Sequence, residues 1–423
     1  MNQQSTLVGL FKETYAGQIV EAWSFMAKLL NRVKFVQREL QPGNFYHQPV
    51  DLTFEHGITA AAAGVTPGVG GAPFLPVSAG QMQDAQVTGA QLIGRSSVSY
   101  EAIARSSNSK AAFKQATQHV VRRLSRAVTK RAEIQLIHGQ RGIGTVNANP
   151  ATGASRAIVI SDATWAAGIW AGLVGATLDL YSAGGAKLNT GASSTNDPIK
   201  ITAINTSTKT ITVSVGNAGD QTLNIASANI FFETASPTSE MAGLDVVSSL
   251  TGASPALWNI NPATYDLWQG NQYNVAGALS FAKILSAISL AAPYDFSDAA
   301  TCIVTPEGFE VLNTDIAALR QYDVSYTESR AKRGNKALTF FAQTGEIEIL
   351  PHAFEKHALA HIFVPTECAR VGASEIDFIT RQGSEDKLIL ESATSAGSEM
   401  RCYSNQAFFA SVPRHCVQLY GIT

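Results

Sequence analysis

Three histidines stand close together at His352, His357 and His361. Imidazoles four residues apart share one face of a helix, the arrangement in which a pair can hold a divalent metal. Here Pro351 precedes them and the apolar run Leu359-Ala360-His361-Ile362-Phe363-Val364 follows, so the pattern predicts a turn entering a strand. No glutamate completes an HExxH motif. The three are read as ordinary polar histidines. The stretch Gly139-Gln140-Arg141-Gly142-Ile143-Gly144 is glycine-rich, but it follows a helical pattern where a dinucleotide cradle follows a strand, and it is read as a turn. The dipeptide Gly-Lys does not occur, which excludes a phosphate loop, and no GxSxG elbow is present. Ser329-Arg-Ala-Lys332 matches SxxK without its companion motifs. Glu346 and Glu348 share one face of a predicted strand and are read as solvated. The expectation is that the chain has no catalytic, cofactor or metal site and is not an enzyme.

The strongest charged feature is a stripe. Arg122, Arg126 and Lys130 recur every fourth residue, Arg123 and Arg131 add to them, and Glu133 is the lone acid between Lys110 and His138. Such a stripe can neutralise phosphates without reading sequence. It can equally be a solvated helix face, or pair with a neighbour's acids. Both readings stay open. Arg330, Lys332 and Arg333 form a second basic group in a polar loop over residues 326–336.

The elements that carry these residues are legible in outline. Ser107 and Ser109 are good N-caps for a long helix over 109–138. Phe113, Ala116, Val120, Leu124, Ala127 and Ile134 run along one side of it, and Gly139 suits its C-terminal cap. Residues 5–40 read as a helix with Trp23, Met26, Ala27, Leu30 and Val33 in one stripe and Phe25, Leu29 and Val36 on a second side, so it wants partners on two sides. Between these helices lies a lysine-free, Gly/Ala/Pro-rich segment over 41–109. Alternating Val50, Leu52 and Phe54, then Val98, Tyr100 and Ala102, predict the two strands of a hairpin. Ordering each residue of so long a segment costs roughly 1–2 kcal/mol of backbone entropy. A hairpin's own contacts do not offset that, whereas an obligate interface of ~2,000–5,000 Å² does. The segment is read as an arm that packs on a neighbouring subunit. Over 156–234 the helical signal vanishes: Ile199 and Ile201, then Ile211, Val213 and Val215, alternate with polar residues and predict a small all-β insertion. Beyond it the pattern is mixed. A helix is predicted over 275–292, a strand over 301–304, a helix opening with Thr305 and Pro306, and strands over 346–350, 359–364 and within 402–419.

Composition points the same way. Charged residues are 15% of the 423-residue chain, and 45% are hydrophobic. A chain with so few charges either hides much of its surface in protein contacts, the reading favoured here, or is a large domain with a Ser/Thr/Asn-rich surface. The net charge of −2 excludes a globally basic nucleic-acid binder but not a local basic face. Cys302, Cys368, Cys402 and Cys416 match no zinc spacing and suit a reducing compartment. No uncharged run is long enough to span a bilayer as a helix.

The order of parts resembles the major capsid proteins of tailed double-stranded DNA bacteriophages, the Hong Kong 97-like fold. The resemblance rests on the apolar arm, the long lysine-free hairpin, the basic helix directly after it, the β insertion and the returning C-terminal strands. Two stretches carry it further: Gly345-Glu-Ile-Glu-Ile-Leu-Pro351 with Ala358-Leu-Ala-His-Ile-Phe-Val-Pro365, and Arg401-Cys-Tyr403 ahead of residues 407–412. It implies an α+β fold with an N-terminal arm at 1–41 and an extended loop (E-loop) at 42–106. A peripheral domain with its spine helix would occupy 107–155, the insertion 156–234, the axial domain 235–384, and a return to the peripheral domain 385–423. It implies hexamers and pentamers of an icosahedral virion shell assembled in the host cytoplasm, with portal and scaffolding proteins, a cement or decoration protein and packaged double-stranded DNA as partners. Val50, Leu52, Phe54, Val98, Tyr100, Trp23, Met26 and Leu30 would then meet neighbouring subunits. Arg122, Arg126 and Lys130 would face the lumen or a neighbour, and Arg330, Lys332 and Arg333 the capsomer axis. Without a lysine on the loop, the family's lysine–asparagine weld is not expected. With an arm that begins within a few residues of Met1, the expectation is either a separate scaffolding protein or an already processed sequence, and the initiator Met favours the first. A bacterial nanocompartment shell shares the fold, and a surface adhesin or hydrolase with a β module is the alternative of another class.

Overall fold

The computed structural model describes residues 27–36, 45–60, 63, 66, 74–77, 79–99, 110–150, 155–188, 199–214, 225–296, 299–320, 338–342, 345–378, 390–391 and 397–423. In chain order the first elements are β1 (Lys34–Phe35), β2 (Tyr46–Asp51), β3 (Met82–Val87), β4 (Ala90–Ser99) and the long helix α1 (Lys110–His138). Then come β5 (Gly144–Thr145), β6 (Ser155–Val159), the one-turn helix α2 (Ala167–Trp170), β7 (Thr177–Tyr181), β8 (Ile199–Asn205), β9 (Thr210–Ser214), β10 (Asn229–Phe232) and the short helix α3 (Leu244–Ser248). The C-terminal part holds β11 (Asn271–Gly277), α4 (Phe281–Ala291), β12 (Ala300–Val304), α5 (Pro306–Arg320), β13 (Leu338–Ala342), β14 (Gly345–Pro351), β15 (Leu359–Phe363), β16 (Cys368–Phe378), β17 (Leu390–Glu391), β18 (Gly397–Ala410) and β19 (Val417–Ile422).

Helix α1 packs on a sheet centred on β18, which pairs with β16, β17 and β4. Val120, Leu124 and Val128, one helical turn apart, meet Met400 and Cys402, which alternate on one face of β18. The last two turns of α1 are buried on every side, from Ala132 to His138. That is why the polar residues there need internal partners. The helix stops where Gly139 meets Gly243: a Cβ on Gly243 would lie 2.6 Å from the Gly139 nitrogen, so α3 reaches the end of α1 only through glycine. The left-handed residue expected at Gly139 is one position later, at Gln140, with φ 67°.

The β insertion is a six-stranded sheet in the order β5-β10-β7-β8-β9-β6. It takes in residues 144–145 as well as the predicted stretch, because β5 pairs with β10. Its apolar face (Ile158, Leu178, Leu180, Ile199, Ile211 and Val213 among others) joins the same core as Ile134, Leu136 and Ile137 of α1, so it is packed into the body of the chain. Trp165 and Trp170 stack at 5.8 Å in that core.

The C-terminal sheet has the order β11-β19-β15-β12-β14-β13. Its central strand β12 is buried along its whole length, and α4 and α5 help close its core through Ile284, Ile288 and Leu312. The helix predicted over 275–292 begins later, at Phe281. Val275 lies in β11, and Ser280 caps the helix by accepting the Lys283 N–H. Thr305 caps α5 as expected, its hydroxyl accepting the Gly308 N–H at 3.0 Å.

Candidate subunit interface

The predicted hairpin pairing is corrected. Strand β2 pairs with β3, with Val50 opposite Gln83, and not with the strand that holds Val98. Val98 lies in β4, opposite Ser398 of β18. Alternation alone marks a strand without naming its partner, and the nearer strand at 82–87 closes the hairpin. The root of this hairpin rests on its own chain. Leu52, Ala85 and Val87 are buried, Tyr46 meets Phe409 edge-on at 5.9 Å, and the Gln86 N–H donates to the Trp258 carbonyl at 2.9 Å. Leu52 and Leu30, expected at a neighbouring subunit, are therefore core residues of the chain itself.

Beyond the root the picture reverses. Phe54 is 78% exposed, Ile58 79%, Phe74 69% and Val77 93%, with Leu75 and Met82 also in solvent. Polar contacts order the connection locally: Thr59 Oγ1 accepts the Leu75 N–H at 2.9 Å and Thr53 Oγ1 the Gln81 N–H at 2.7 Å. Monomeric soluble proteins rarely gather so many large apolar residues on one exposed connection.

A groove of about 330 Å³ runs between β4 and α1, with Leu92, Ile93, Leu124 and Val128 along it and Arg131 and Glu240 beside it. Gly94 lets the strand lie on the helix, since a Cβ there would meet Val128 Cγ2 at 2.5 Å. Ile93 is 56% exposed at its rim.

The basic stripe divides. Arg122, Arg123 and Arg126 lie on the exposed side of α1. Burial pushes the His119 imidazole down, and Arg123 and Arg122 push it further. Lys130 is corrected: it is buried, and its Nζ donates to the carbonyls of Ile169 and Ala171 at 2.9 and 2.8 Å, capping α2. Burial lowers its pKa to about 8. Spacing alone could not separate it from the two arginines, because α2 arrives from another part of the chain.

Glu348, read as solvated, pairs with Arg32 through Nη2–Oε1 at 2.7 Å. Sequence reasoning also missed the role of Glu133. Its carboxylate accepts the backbone N–H groups of Lys28, Leu29 and Leu30 at 2.7 to 2.9 Å, and His352 Nε2 lies 3.0 Å away. The signal was present: one acid in a basic helix, next to apolar Ile134. His361 lies in β15 and His357 in the turn before it. Among the described residues no group of three or more His, Cys, Asp or Glu side chains could hold a metal ion, and no helix is long and apolar enough to cross a membrane. Trp23, Met26, Tyr100, Arg330, Lys332 and Arg333 lie outside the described residues.

No protein-family model matches the sequence, and no curated protein matches it. Solved structures do. The chain is similar to a chain of the Cyanophage A-1(L) capsid asymmetric unit, with a TM-score of 0.55 at 9% identity over 100% of this chain and 99% of that one. Two further similar structures are the capsid of a native GTA particle (TM-score 0.47, 8% identity, 100% of both chains) and Mycobacterium phage Bobi (TM-score 0.46, 10% identity, 100% of this chain and 98% of that one). The alignment to the cyanophage capsid chain covers this chain from end to end. Over its whole length this chain therefore has the phage major capsid protein fold.

Proposed function

We propose that this chain is the shell-forming subunit of a phage head, copies of which assemble as hexamers and pentamers of an icosahedral capsid around double-stranded DNA. The observation that carries the reading is the connection beyond the hairpin root, whose large apolar side chains the chain itself leaves in solvent. Covering each one fully is worth roughly 1.5–3 kcal/mol, and identical copies supply the cover. In this reading the connection is the extended loop, and the groove between β4 and α1 offers an apolar surface for a neighbour. Arg122, Arg123 and Arg126 support weak, sequence-independent contact with phosphates or a neighbour's acids. The role is structural. Portal and scaffolding proteins are the expected assembly partners, with a cement protein as an optional one.

Co-expression with the scaffolding protein and negative-stain microscopy test this. Closed particles are expected. A chain that stays monomeric by light scattering, with residues 53–80 protected from protease, overturns the reading. Particles that hold a cargo enzyme and no DNA would assign the chain to a nanocompartment instead.

A further inference from the structure

Two connections run side by side between the sheets. β15 and β19 belong to the C-terminal sheet, β16 and β18 to the sheet under α1, and the chain crosses once from β15 to β16 and once from β18 to β19. The crossings are bonded to each other: the Ser411 N–H and its Oγ both donate to the Glu367 carbonyl at 3.0 Å. They also meet through side chains. His415 Nδ1 lies 2.8 Å from each oxygen of the Glu367 carboxyl group. The other ring nitrogen reaches a third stretch, with Nε2 2.8 Å from the carbonyl of Tyr294 in the turn that follows α4. Phe296 of that turn meets the imidazole edge-on at 5.4 Å, and the Arg414 guanidinium lies over the Tyr294 ring at 4.5 Å. His415 is buried, so one imidazole joins both crossings to the turn after α4.

The hydrogen bonds fix the protonation state. A carbonyl oxygen only accepts, so Nε2 carries a hydrogen. Nδ1 and a bare carboxylate would repel at 2.8 Å, so a proton lies between them as well. An ordinary imidazole holds a proton about two pH units more tightly than an ordinary glutamate. The Glu367 side chain is 21% exposed and keeps part of its hydration, so the proton rests on Nδ1. Both nitrogens then donate. A neutral imidazole has one donor, and would turn a lone pair on one of the two oxygen partners.

We propose that His415 is a doubly protonated clasp holding the turn after α4 onto the two crossings, and that loss of one proton releases that turn. Bonds to charged acceptors are the stronger ones, so the hydrogen that remains is the one facing Glu367. Nε2 then presents a lone pair to the Tyr294 carbonyl, and the turn comes away while the crossings stay joined.

The surrounding charges favour the doubly protonated ring. Burial pushes the His415 pKa down, but the Glu367 and Tyr294 hydrogen bonds and the charges of Glu367 and Asp295 outweigh it and leave it above the ordinary 6.5. α3 and the 266–268 turn also pack against 413–415. Asp245 of α3 is engaged by His138 and Gln418, and Asp266 is exposed. Arg414 is taken up by Gln269, Asn271 and the Gly270 carbonyl. Contact with the Cys416 thiol, together with burial, pushes the neighbouring Cys368 thiol well above its ordinary 9.0. The sign follows from the raised value. The clasp is complete below 6.5 and is lost as pH rises through the higher folded value. Between the two, the opening equilibrium grows by up to about tenfold per pH unit, and it is level on either side.

Hydrogen–deuterium exchange by mass spectrometry on the full chain, corrected for intrinsic exchange, reads this in peptides covering residues 288–296. Between about pH 5.5 and about pH 9, protection should be level up to 6.5 and then fall. His415→Gln carries no titrating ring and should give a level profile. Glu367→Gln offers Nδ1 an amide N–H, so a neutral ring satisfies both partners with Nε2–H still on Tyr294. That variant should keep the turn protected and also lose the fall. A level profile in the natural chain overturns the proposal, as does a fall that persists at full size in Glu367→Gln. If His415→Gln fails to fold, the Glu367→Gln profile decides. The measurement does not depend on whether the chain builds a shell.

Discussion

Glu133 and Leu29, 104 residues apart, are joined by a 2.7 Å hydrogen bond from the Leu29 backbone N–H to the Glu133 carboxylate. The same carboxylate takes the N–H groups on either side of Leu29 and faces His352. One side chain thus ties the segment before β1 to the long helix and to the end of β14. Arg32 adds a tie to Glu348 of the C-terminal sheet, and β1 itself pairs with β16.

Replacing Glu133 with alanine strands these donors in a buried site. Each unsatisfied group costs roughly 1–3 kcal/mol, so a loss of about 3 kcal/mol or more is expected in urea denaturation. Glu133→Gln keeps one acceptor oxygen and should lose less. A change below ~1 kcal/mol for the alanine variant would show that the carboxylate does not hold the segment.

Lys130 gives a pH-dependent signature. Its folded pKa, lowered to about 8 by burial, lies below the ordinary 10.5. The folded chain then releases its proton before the unfolded chain does, so stability rises as pH climbs from about 8 towards 10.5. The stability difference between the natural chain and Lys130→Met should shift in the natural chain's favour over that interval. A difference that stays flat there refutes the assignment.

At the other end of the scale, the Glu399 carboxylate sits between Arg95 Nε at 2.8 Å and Arg401 Nε at 2.6 Å. The two guanidiniums hold its pKa down to about 2. Its contribution is present above the ordinary carboxylate value and is lost as pH falls through the folded one. Acid titration followed by circular dichroism should show Glu399→Gln losing less stability than the natural chain between pH 4.5 and about 2. Parallel curves would count against the pairing.

The exposed connection separates folding from assembly. Changing Phe74, Leu75 and Val77 to serine removes only a small part of the chain's own burial, chiefly at Leu75, so the chain's stability should move by no more than about 1 kcal/mol. Particle yield in micrographs should fall sharply. Unchanged yield of closed particles would exclude this stretch as a contact between copies.

The sequence by itself determined where the long helix lies and most of its apolar side, because Val120 and Leu124 repeat at helical spacing, although Ala127, read on that side, is exposed and Val128 packs there instead. It determined that the insertion is β, through the alternation at Ile199 and Ile201 and again at Ile211 and Val213, and that Thr305 opens a helix. It also marked the connection beyond Leu52 as a segment the chain could not bury. Tertiary structure decided the rest. Strand β4 pairs with β18, roughly 300 residues later, and period-two alternation carries no information about so distant a partner. Lys130 leaves the basic stripe because α2 reaches its ammonium, and Glu133 becomes an anchor because the 28–30 backbone turns onto it. The five ionisable side chains that meet where α1 ends (His138, Asp245, Glu355, Lys356 and His361) are scattered from α1 to β15. Only folding brings them together away from solvent.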